Sequence, residues 1–449
     1  MDRIKDFKEI YDTYSISEIK PLLNNCLNCS EAFCSNKMEI EGKMVGCPLD
    51  IDINKVINLM KYNLYEEAYL ELTKNNPFPE ITSRICNGYC ETSCICNKDN
   101  NPTRIRDIIR TLSDYAFNNN LVKSSLSNSN GKTISIIGSG IAGLTCANYL
   151  IKKGYNVKVY EKNSLPGGTL MYGTTNMRLD KEILKRRIEL LKNEGVNFIC
   201  NTEITRVISP MEVLKSSDAL IIASGVVKRK LAIQGMGLKN VIYAEDYLKK
   251  VTKNILDMGI SNILENRNVL VIGGGETTME VISYAIREHA KMVACIDYKN
   301  MPPLKRTTSW PLPDDSLPKC EAILDARAKM GLDPRSFNMT VKEIIGNDSV
   351  DGAKIVQVKW VDDNPVLLDK EQTFPVDYII VSIGNIGYEE DLINYFDLDL
   401  VNKLVNESNH KNNGKVFICG EALINNGVSV LALKDALKCA KEVEEYLEA

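Results

Sequence analysis

The sequence predicts an α/β fold in which a helical head precedes two strand–glycine–helix domains, the second inserted into the first. From residue 133 onward, β-branched runs end in glycines and are followed by helical patterns, which is typical of parallel α/β architecture. One such strand–glycine–helix unit occurs twice. The head differs in composition, because eight of the 14 cysteines fall within the first hundred residues.

Length and composition limit the class of protein. A chain of 449 residues is long enough for two to four domains. The formal charge of −4 and the lack of a basic tract do not indicate a nucleic-acid partner. The start has no apolar signal-peptide core, and every apolar run is shorter than the roughly 20 residues that span a bilayer. We therefore expect a cytoplasmic protein without a membrane span.

The head, residues 1–125, alternates amphipathic patterns with loops that carry cysteines. Apolar residues at three- and four-residue spacing predict one helix over 51–75, with Val56, Leu59, Met60 and Leu64 on its buried face. The polar stretch 118–132 is expected to be a linker.

Two groups of cysteines stand in this head. The first is Cys26, Cys29 and Cys34 followed by Cys47-Pro48, and the second is Cys86, Cys90, Cys94 and Cys96. A Cys-x₂-Cys run that ends in Cys-Pro is close to a bacterial ferredoxin pattern, and eight thiolates suffice for two [4Fe–4S] clusters. Structural zinc favours paired Cys-x₂-Cys knuckles, of which only one is present, and with only two histidines a Cys₂His₂ site is a poor explanation. Zinc and plain core packing remain the alternatives.

The first nucleotide unit begins at residue 133. Thr133–Ile137 is a predicted strand, and Gly138, Gly140 and Gly143 follow at G-x-G-x-x-G spacing before a helix to about residue 153. This pattern predicts a tight turn, a backbone that approaches a pyrophosphate, and free N–H groups at the helix start. Glu161 ends the next strand, where an acid accepts hydrogen bonds from an adenosine ribose.

The second unit places Gly273, Gly275 and Thr278 at the same spacing, and Asp297 ends its following strand. Two units in one chain suggest two nucleotides, and therefore hydride passage between a flavin and a nicotinamide. The alternative is a second fold that holds no coenzyme, which Thr278 and Glu276 would favour.

Three further apolar strands with glycine exits lie at 218–225, 377–384 and 415–421. The last two follow the second nucleotide unit in the chain, but they resemble strands that pair in the sheet of the first unit. We therefore predict a helical iron–sulfur head (1–125), a Rossmann-like FAD domain in two parts (126–250 and 373–449), and an inserted NAD(P) domain (251–372). The six cysteines outside the head are interpreted as core residues, and Cys146 and Cys200 as isolated, which argues against a disulfide reductase.

Several stretches together make the chain resemble the small (β) subunit of NADPH-dependent glutamate synthase. They are CLNCSEAFC, CPLDIDIN, TKNNPFPEITSRICNGYCETSC, GSGIAGLTCANYL, PGGTLMYGTTNMRLDKEI, VLVIGGGETTME, NMPP and KVFICGE. Relatives of that family include the flavin arm of dihydropyrimidine dehydrogenase and the large subunit of bifurcating ferredoxin:NADP oxidoreductase. The resemblance covers nearly the whole chain and implies two [4Fe–4S] clusters, FAD and NAD(P)H.

The resemblance also implies which residues contact the cofactors. The eight head cysteines would bind the clusters. FAD would lie against Gly138, Ser139, Gly140, Ala142, Gly143, Glu161, Lys162, Gly167, Gly168, Tyr172, Arg178, Gly225, Gly384, Gly420, Glu421 and the helix that begins near Val428. The nicotinamide coenzyme would lie against Gly273, Gly275, Glu276, Thr277, Asp297 and Lys299.

Two departures from the family pattern lead to further hypotheses. Ile109 stands where the family has a Glu or Gln cluster ligand, and isoleucine cannot bind iron, so we hypothesise that Cys96 completes an all-cysteine second cluster. The family's NADPH-binding members have a Tyr-Arg-Arg stretch suited to a 2′-phosphate, whereas this chain has Asp297-Tyr298-Lys299. Asp297 would repel that phosphate, so NADH is favoured.

The resulting prediction is an oxidoreductase subunit that takes hydride from NAD(P)H onto FAD and passes single electrons through the clusters to a partner subunit. Two other readings stay open: an electron-bifurcating enzyme with the same cofactors, and a non-catalytic subunit that keeps its cofactors only for assembly. The substrate of the partner chain is not indicated.

Overall fold

The computed structural model describes residues 4–99, 101, 103–125, 127–387, 390–396, 410–411, 414–425 and 427–449. Its amino-terminal part is a small helical layer around one short antiparallel hairpin, β1–β2. The elements of this head are α1 (Ile16–Leu23), β1 (Met38–Ile40), β2 (Lys43–Val45), α2 (Ile53–Lys61), α3 (Tyr65–Thr73), α4 (Pro79–Ile85), α5 (Tyr89–Thr92), a 3₁₀ turn (Ile95–Asp99) and α6 (Ile105–Asn118).

The single helix predicted over 51–75 was wrong, because the chain forms α2 and α3 with a turn between them. Asn63 adopts a positive φ of 60°, a left-handed conformation that asparagine tolerates better than most residues. The turn lets each short helix bury its own apolar side against the same core, where Met60 and Leu72 are fully buried. Leu64, predicted to be buried, is instead 42% exposed at this turn.

The middle of the chain builds four of the five strands of the first parallel sheet, helices on both faces of that sheet, and two strands that pair elsewhere. Its elements are β3 (Thr133–Ile137), α7 (Ile141–Ile151), β4 (Asn156–Tyr160), α8 (Thr169–Tyr172), α9 (Lys181–Asn193), β5 (Asn197–Ile199), α10 (Pro210–Lys215), β6 (Ala219–Ile222), β7 (Val227–Lys228), β8 (Val241–Tyr243) and α11 (Ala244–Met258). The strand β3 and the helix that follows it match the sequence prediction.

The rest of the chain builds the second sheet and then returns to the first. Its elements are β9 (Asn268–Ile272), α12 (Glu276–Arg287), β10 (Met292–Asp297), α13 (Glu321–Met330), β11 (Arg335–Phe337), β12 (Met339–Gly346), β13 (Val350–Val361), β14 (Asn364–Pro375), β15 (Tyr378–Val381), β16 (Asn385–Ile386), α14 (Glu390–Tyr395), β17 (Val416–Ile418), α15 (Glu421–Ile424) and α16 (Ser429–Glu448). Strands β12, β13 and β14 form a separate antiparallel sheet.

The two parallel sheets show how the chain crosses between domains. The first has the order β17–β6–β3–β4–β5, so β17 returns to the first sheet as predicted, where it pairs with β6. The second has the order β11–β10–β9–β15–β8. The assignment of the 377–384 strand to the first sheet was therefore wrong, since β15 pairs with β9 and β8. The predicted domain boundaries at 250/251 and 372/373 also place β8 and β15 in the FAD domain, whereas both strands pair in the second sheet.

The physical reason for this error is that a strand buried on both faces carries no alternation. Tyr378–Val381 is buried throughout, as are β6 and β17 of the other sheet. Such strands are all continuous apolar runs, and their sequence does not record which neighbour they pair with. Within the described ranges, no helix combines the length and apolarity needed to cross a membrane.

Candidate functional site

The first candidate nucleotide site lies at the carboxyl end of β3, where the chain turns into α7. A Cβ on Gly143 would lie only 2.0 Å from the carbonyl oxygen of Gly138, so helix and strand pack this closely only with glycine there. No side chain caps the start of α7, which leaves its first N–H groups available to an anion. Gly140 has open space on its Cβ side. This geometry fits a dinucleotide pyrophosphate.

Glu161 lies at the end of β4 and holds this turn in place. Its carboxylate accepts the hydroxyl of Ser139 on one oxygen, and the backbone N–H and side-chain amide of Asn163 on the other, at 2.8 and 2.6 Å. The Ser139 hydroxyl in turn accepts the backbone N–H of Gly167 at 2.9 Å. Glu161, which is only 4% exposed, thus fixes both loops that border the predicted adenosine pocket. Lys162 follows it directly.

Several other residues predicted to contact FAD lie at the same edge of the sheet. Gly167 and Gly168 precede α8, and the hydroxyl of Tyr172 in that helix accepts the backbone N–H of Leu165 at 3.1 Å. Gly225 follows β6, and Val428 is the residue before α16.

The loop after β17 closes the other side of this edge. Gly420 has a φ of 67°, and a Cβ there would lie 2.5 Å from the Cβ of Ala142, so this loop packs directly on the start of α7. Glu421 accepts the backbone N–H of Gly427 at 2.8 Å, which orders the segment before α16.

Arg178 and Gly384 lie elsewhere than expected. Both line a second cavity, of about 730 Å³, at the carboxyl edge of the second sheet. Its other lining residues include Gly273, Gly275, Glu276, Thr277, Asp297 and Lys299, the residues predicted to contact the nicotinamide coenzyme. Gly384 belongs here because the strand before it, β15, pairs in the second sheet.

Arg178 joins three parts of the molecule at the wall of this cavity. Its guanidinium forms ion pairs with Glu276 (2.7 Å) and Glu280 (3.1 Å) of α12, and donates to the carbonyl oxygen of Ile85 in the head at 2.8 Å. The pKa of Arg178 is raised by these carboxylates, against the opposing effect of burial. Arg178 also neutralises Glu276, the acid that stands at the start of the second glycine-turn helix.

The base of the second cavity carries the charges that bear on coenzyme choice. Asp297 is largely buried and accepts the backbone N–H of Lys299 at 3.1 Å. Arg335, which the sequence analysis did not single out, also lines this cavity. Its guanidinium is held by both carboxylate oxygens of Asp333, at 3.0 and 2.9 Å, and by the carbonyl oxygen of Pro318.

The structure sorts the head cysteines into two adjacent groups. Around a cavity of about 320 Å³ lies the first group, Cys26, Cys29, Cys34, Cys94 and Cys96. The second group is Cys47, Cys86 and Cys90. Cys47 lies close to α5, which carries Cys90, because the neighbouring Gly46 N–H donates to the hydroxyl of Ser93 at 2.9 Å. Burial is the main cause that raises the pKa of the Cys90 thiol, and Cys47 and other neighbours add to it. Cys34 is one of these neighbours, so it lies close to the second group.

The hypothesis that Cys96 completes the second group was wrong. Its thiol lies in the first cavity and donates to the carbonyl oxygen of Asn25 at 3.4 Å. The cause is the 3₁₀ turn Ile95–Asp99, which keeps Cys96 beside Cys94 in the first group.

Burial keeps these thiols in the neutral form unless a metal is bound. Burial raises the pKa of Cys34 to about 12 and that of Cys47 to about 11. Without a metal the thiols are therefore neutral, and a bound iron would supply the positive charge that stabilises their thiolates. No group of the described head residues gathers thiols as closely as a single ion requires, whereas each thiolate of a [4Fe–4S] cluster binds a different iron.

Two further features were missed. Trp310, from the loop after β10, lines the first cysteine cavity and donates its indole N–H to the carbonyl oxygen of Cys94 at 3.0 Å. Cys146 is not isolated as predicted: its sulfur lies 3.8 Å from that of Cys419, and Cys439 completes a buried trio. No sequence spacing indicated either contact, since both join residues more than 200 positions apart.

Comparisons with known proteins agree with this arrangement. The family model described as pyridine nucleotide-disulphide oxidoreductase matches residues 132–436, and the one described as dihydropyrimidine dehydrogenase domain II, 4Fe-4S cluster, matches residues 3–121. Among solved structures, FprA from Mycobacterium tuberculosis aligns over 71% of this chain and 85% of its own, with 18% identity and a TM-score of 0.56. Thioredoxin reductase from T. acidophilum aligns over 71% and 100%, with 17% identity and a TM-score of 0.52. These two likenesses show the fold.

Relatives with named functions cover the whole chain. The glutamate synthase [NADPH] small chain of Bacillus subtilis is 32% identical over all of this chain and 94% of its own length. The glutamate synthase [NADH] of Saccharomyces cerevisiae is 32% identical over 99% of this chain, which spans only 21% of that longer protein. The chain therefore belongs to the glutamate synthase small-chain family and is an NAD(P)H-dependent oxidoreductase with a flavin-binding fold and a 4Fe–4S domain.

Proposed function

We propose that this chain takes hydride from NADH onto FAD and passes the electrons singly through two [4Fe–4S] clusters to a partner protein. The observation that carries this proposal is the position of the 730 Å³ cavity. Tyr11 of the head, Arg178 of the flavin part and Gly273 of the second glycine turn all line it. The head, the flavin part and the second glycine turn therefore meet at this cavity, an arrangement that supports electron transfer between the cofactors proposed for them.

The residues present fit the cofactors that this function needs. The Gly138–Gly143 turn, Ser139 and Glu161 would hold the adenosine half of FAD, and the Gly273–Thr277 turn the coenzyme pyrophosphate. Bound flavin would supply the chemistry that accepts a hydride and releases single electrons. The chain's own part is to place the two nucleotides against each other and to exclude water between them.

The preference for NADH is supported by the charges at the base of the second cavity. Asp297 would repel a 2′-phosphate and accept from a 2′-hydroxyl. Arg335 could attract a phosphate, but Asp333 already neutralises it through two hydrogen bonds. Among the cavity residues considered, this leaves Lys299 as the cation that could attract a 2′-phosphate.

Anaerobic stopped-flow measurement of flavin reduction tests this proposal. We expect bound flavin to be reduced by both coenzymes, with a higher kcat/KM for NADH. Asp297→Asn should shift the ratio toward NADPH by about tenfold, which corresponds to about 1.4 kcal/mol. Asp333→Asn, which frees Arg335, should shift it in the same direction. A strong NADPH preference in the unaltered protein would overturn the coenzyme assignment, and the absence of any flavin reduction would overturn the function.

A large-chain partner is supported by the names of the relatives. Several are called small chains, and the yeast proteins carry a region like this chain within a much longer polypeptide. We propose that electrons leave the head toward a protein that contains the substrate site. Anaerobic purification from the native host, with iron, sulfide, flavin and co-eluting chains measured together, should return about eight irons per chain and one stoichiometric partner. Recovery of the chain alone would contradict the partner.

A further inference from the structure

The thiols of the head are divided unequally between the two groups. Five cysteines surround the first cavity, one more than a [4Fe–4S] cluster needs, and three form the second group. Cys96 does not complete the second group, since its thiol lies in the first cavity beside Asn25. The second group is thus one thiolate short among the residues that the structure describes.

Helix α6 lies beside the second group. Arg106 of this helix donates to the carbonyl oxygen of Cys86 at 3.1 Å, and the backbone N–H of Gly88 donates to the sulfur of Cys86 at 3.5 Å. Ile109, one turn later on the same face of α6, is buried in the same core as Cys47 and Cys90. Its side chain has no atom that can bind iron.

Asp50, near Cys47, already accepts the backbone N–H of Lys37 at 2.9 Å and pairs with Lys434. Glu91, near Cys90, is also in use. Its two oxygens accept the backbone N–H and the Nε–H of Arg106, at 2.8 and 2.9 Å. These bonds cap the first turn of α6 and hold it against α5. Taking Glu91 to an iron would leave both donors of Arg106 without this acceptor, so we assign it to the helix and not to the cluster.

We propose that the second cluster is held by Cys47, Cys86 and Cys90 alone, and that its fourth iron is an open site without a ligand from the protein. The inference rests on the proposed function, which supplies the second cluster. The site would make one iron exchangeable, whereas the first cluster, with thiols to spare, would keep all of its iron.

Iron and sulfide analysis combined with electron paramagnetic resonance tests this directly on anaerobic holoprotein. Ferricyanide should remove one of about eight irons and no sulfide. In that step a cluster of charge 2+ releases one Fe²⁺ and gives one electron to ferricyanide, leaving a three-iron cluster of charge 1+ with its own paramagnetic signal. Adding Fe²⁺ with a reductant should restore the original state. Cyanide should alter the spectrum of the reduced second cluster only.

Three variants identify the position. Ile109→Glu should supply the missing ligand and abolish both the iron loss and the cyanide effect. Ile109→Leu, the matched control for packing, should keep both. Cys96→Ala should also keep both and lose no further iron. If Ile109→Glu does not fold, the wild-type and Cys96→Ala results still decide the question.

The outcomes separate the inference from the proposed function. Two clusters that retain every iron under ferricyanide, or additional iron loss at the second cluster in Cys96→Ala, would overturn the open site while leaving the electron relay intact. Fully reconstituted protein with only about four irons per chain would overturn the second cluster itself.

Discussion

His410 is buried between two carboxylates behind the candidate flavin site. Its Nδ1 lies 2.7 Å from Glu442 and its Nε2 lies 3.0 Å from Asp435. The second oxygen of Asp435 accepts the backbone N–H of Gly420 at 2.6 Å, so the histidine supports the loop that packs on α7. Burial opposes a charged ring, but the hydrogen bonds and charges of Asp435 and Glu442 outweigh it and raise the pKa of His410 to about 9.

This raised pKa predicts a pH dependence with a definite sign. Because the pKa in the folded protein exceeds the unfolded value near 6.5, protonation stabilises the fold fully below about pH 6.5, and this stability is lost as pH rises through about 9. The contribution is about 3 kcal/mol. We expect the thermal midpoint of flavin release to fall between pH 6.5 and 9.5, and His410→Gln to flatten that fall.

His289, the other histidine of the chain, provides the control. It is exposed and has a φ of 59°, so His289→Asn preserves its backbone conformation. This variant should keep the wild-type pH dependence. Equal slopes for His410→Gln and wild type would show that the buried ring carries no charge.

At the scale of elements, α7 and α16 cross in close contact behind the candidate flavin site. Small side chains meet there: Cys146 of α7 faces Ala436 and Cys439 of α16, and Cys419 follows β17 beside them. All four are fully buried. The cysteines act here as small hydrophobic residues that let two helices approach closely.

The packing at this crossing predicts unequal effects of enlarging and shrinking one side chain. Cys439→Leu should destabilise by about 1–3 kcal/mol because the core has no room for the added atoms. Cys439→Ala should cost less, since it removes a single sulfur. Flavin release during a thermal ramp, compared for both variants, measures the difference. Equal midpoints would contradict tight packing at the crossing.

The elements also show what the sequence could and could not predict. The Gly138 and Gly273 turns were predictable because strand, turn and helix are local and each glycine has a steric reason. The sheet to which Tyr378–Val381 belongs was not, since pairing of fully buried strands is decided by distant neighbours. Cys96 was assigned to the wrong group because cysteine spacing indicates that thiols could bind iron, whereas the five-residue turn Ile95–Asp99 decides which group Cys96 joins.

At the scale of the whole molecule, a buried ion pair joins the head to the flavin part. Arg187 of α9 donates to Glu80 of α4 at 2.6 Å, and their side chains are 3% and 0% exposed. Removing one partner leaves the other charge buried and uncompensated, which costs about 3–5 kcal/mol. Arg187→Met should therefore increase hydrogen exchange in both helices, and adding Glu80→Gln should restore part of the protection. A double variant no better than Arg187→Met alone would contradict the coupling.

The loop after β10 connects the coenzyme cavity to the first cysteine group. Pro302 and Leu317, near its two ends, line the coenzyme cavity, whereas Trp310 at its middle lies over the cysteines, 5.0 Å from the ring of Phe33. Since the indole shields that cavity from water, Trp310→Leu should bleach the first cluster several-fold faster in air. Trp360, the chain's other tryptophan, packs on Tyr298 instead, so Trp360→Leu should bleach at the wild-type rate. Visible absorbance followed after mixing with oxygenated buffer gives both rates. Similar bleaching of the two variants would mean that the loop does not protect the cluster.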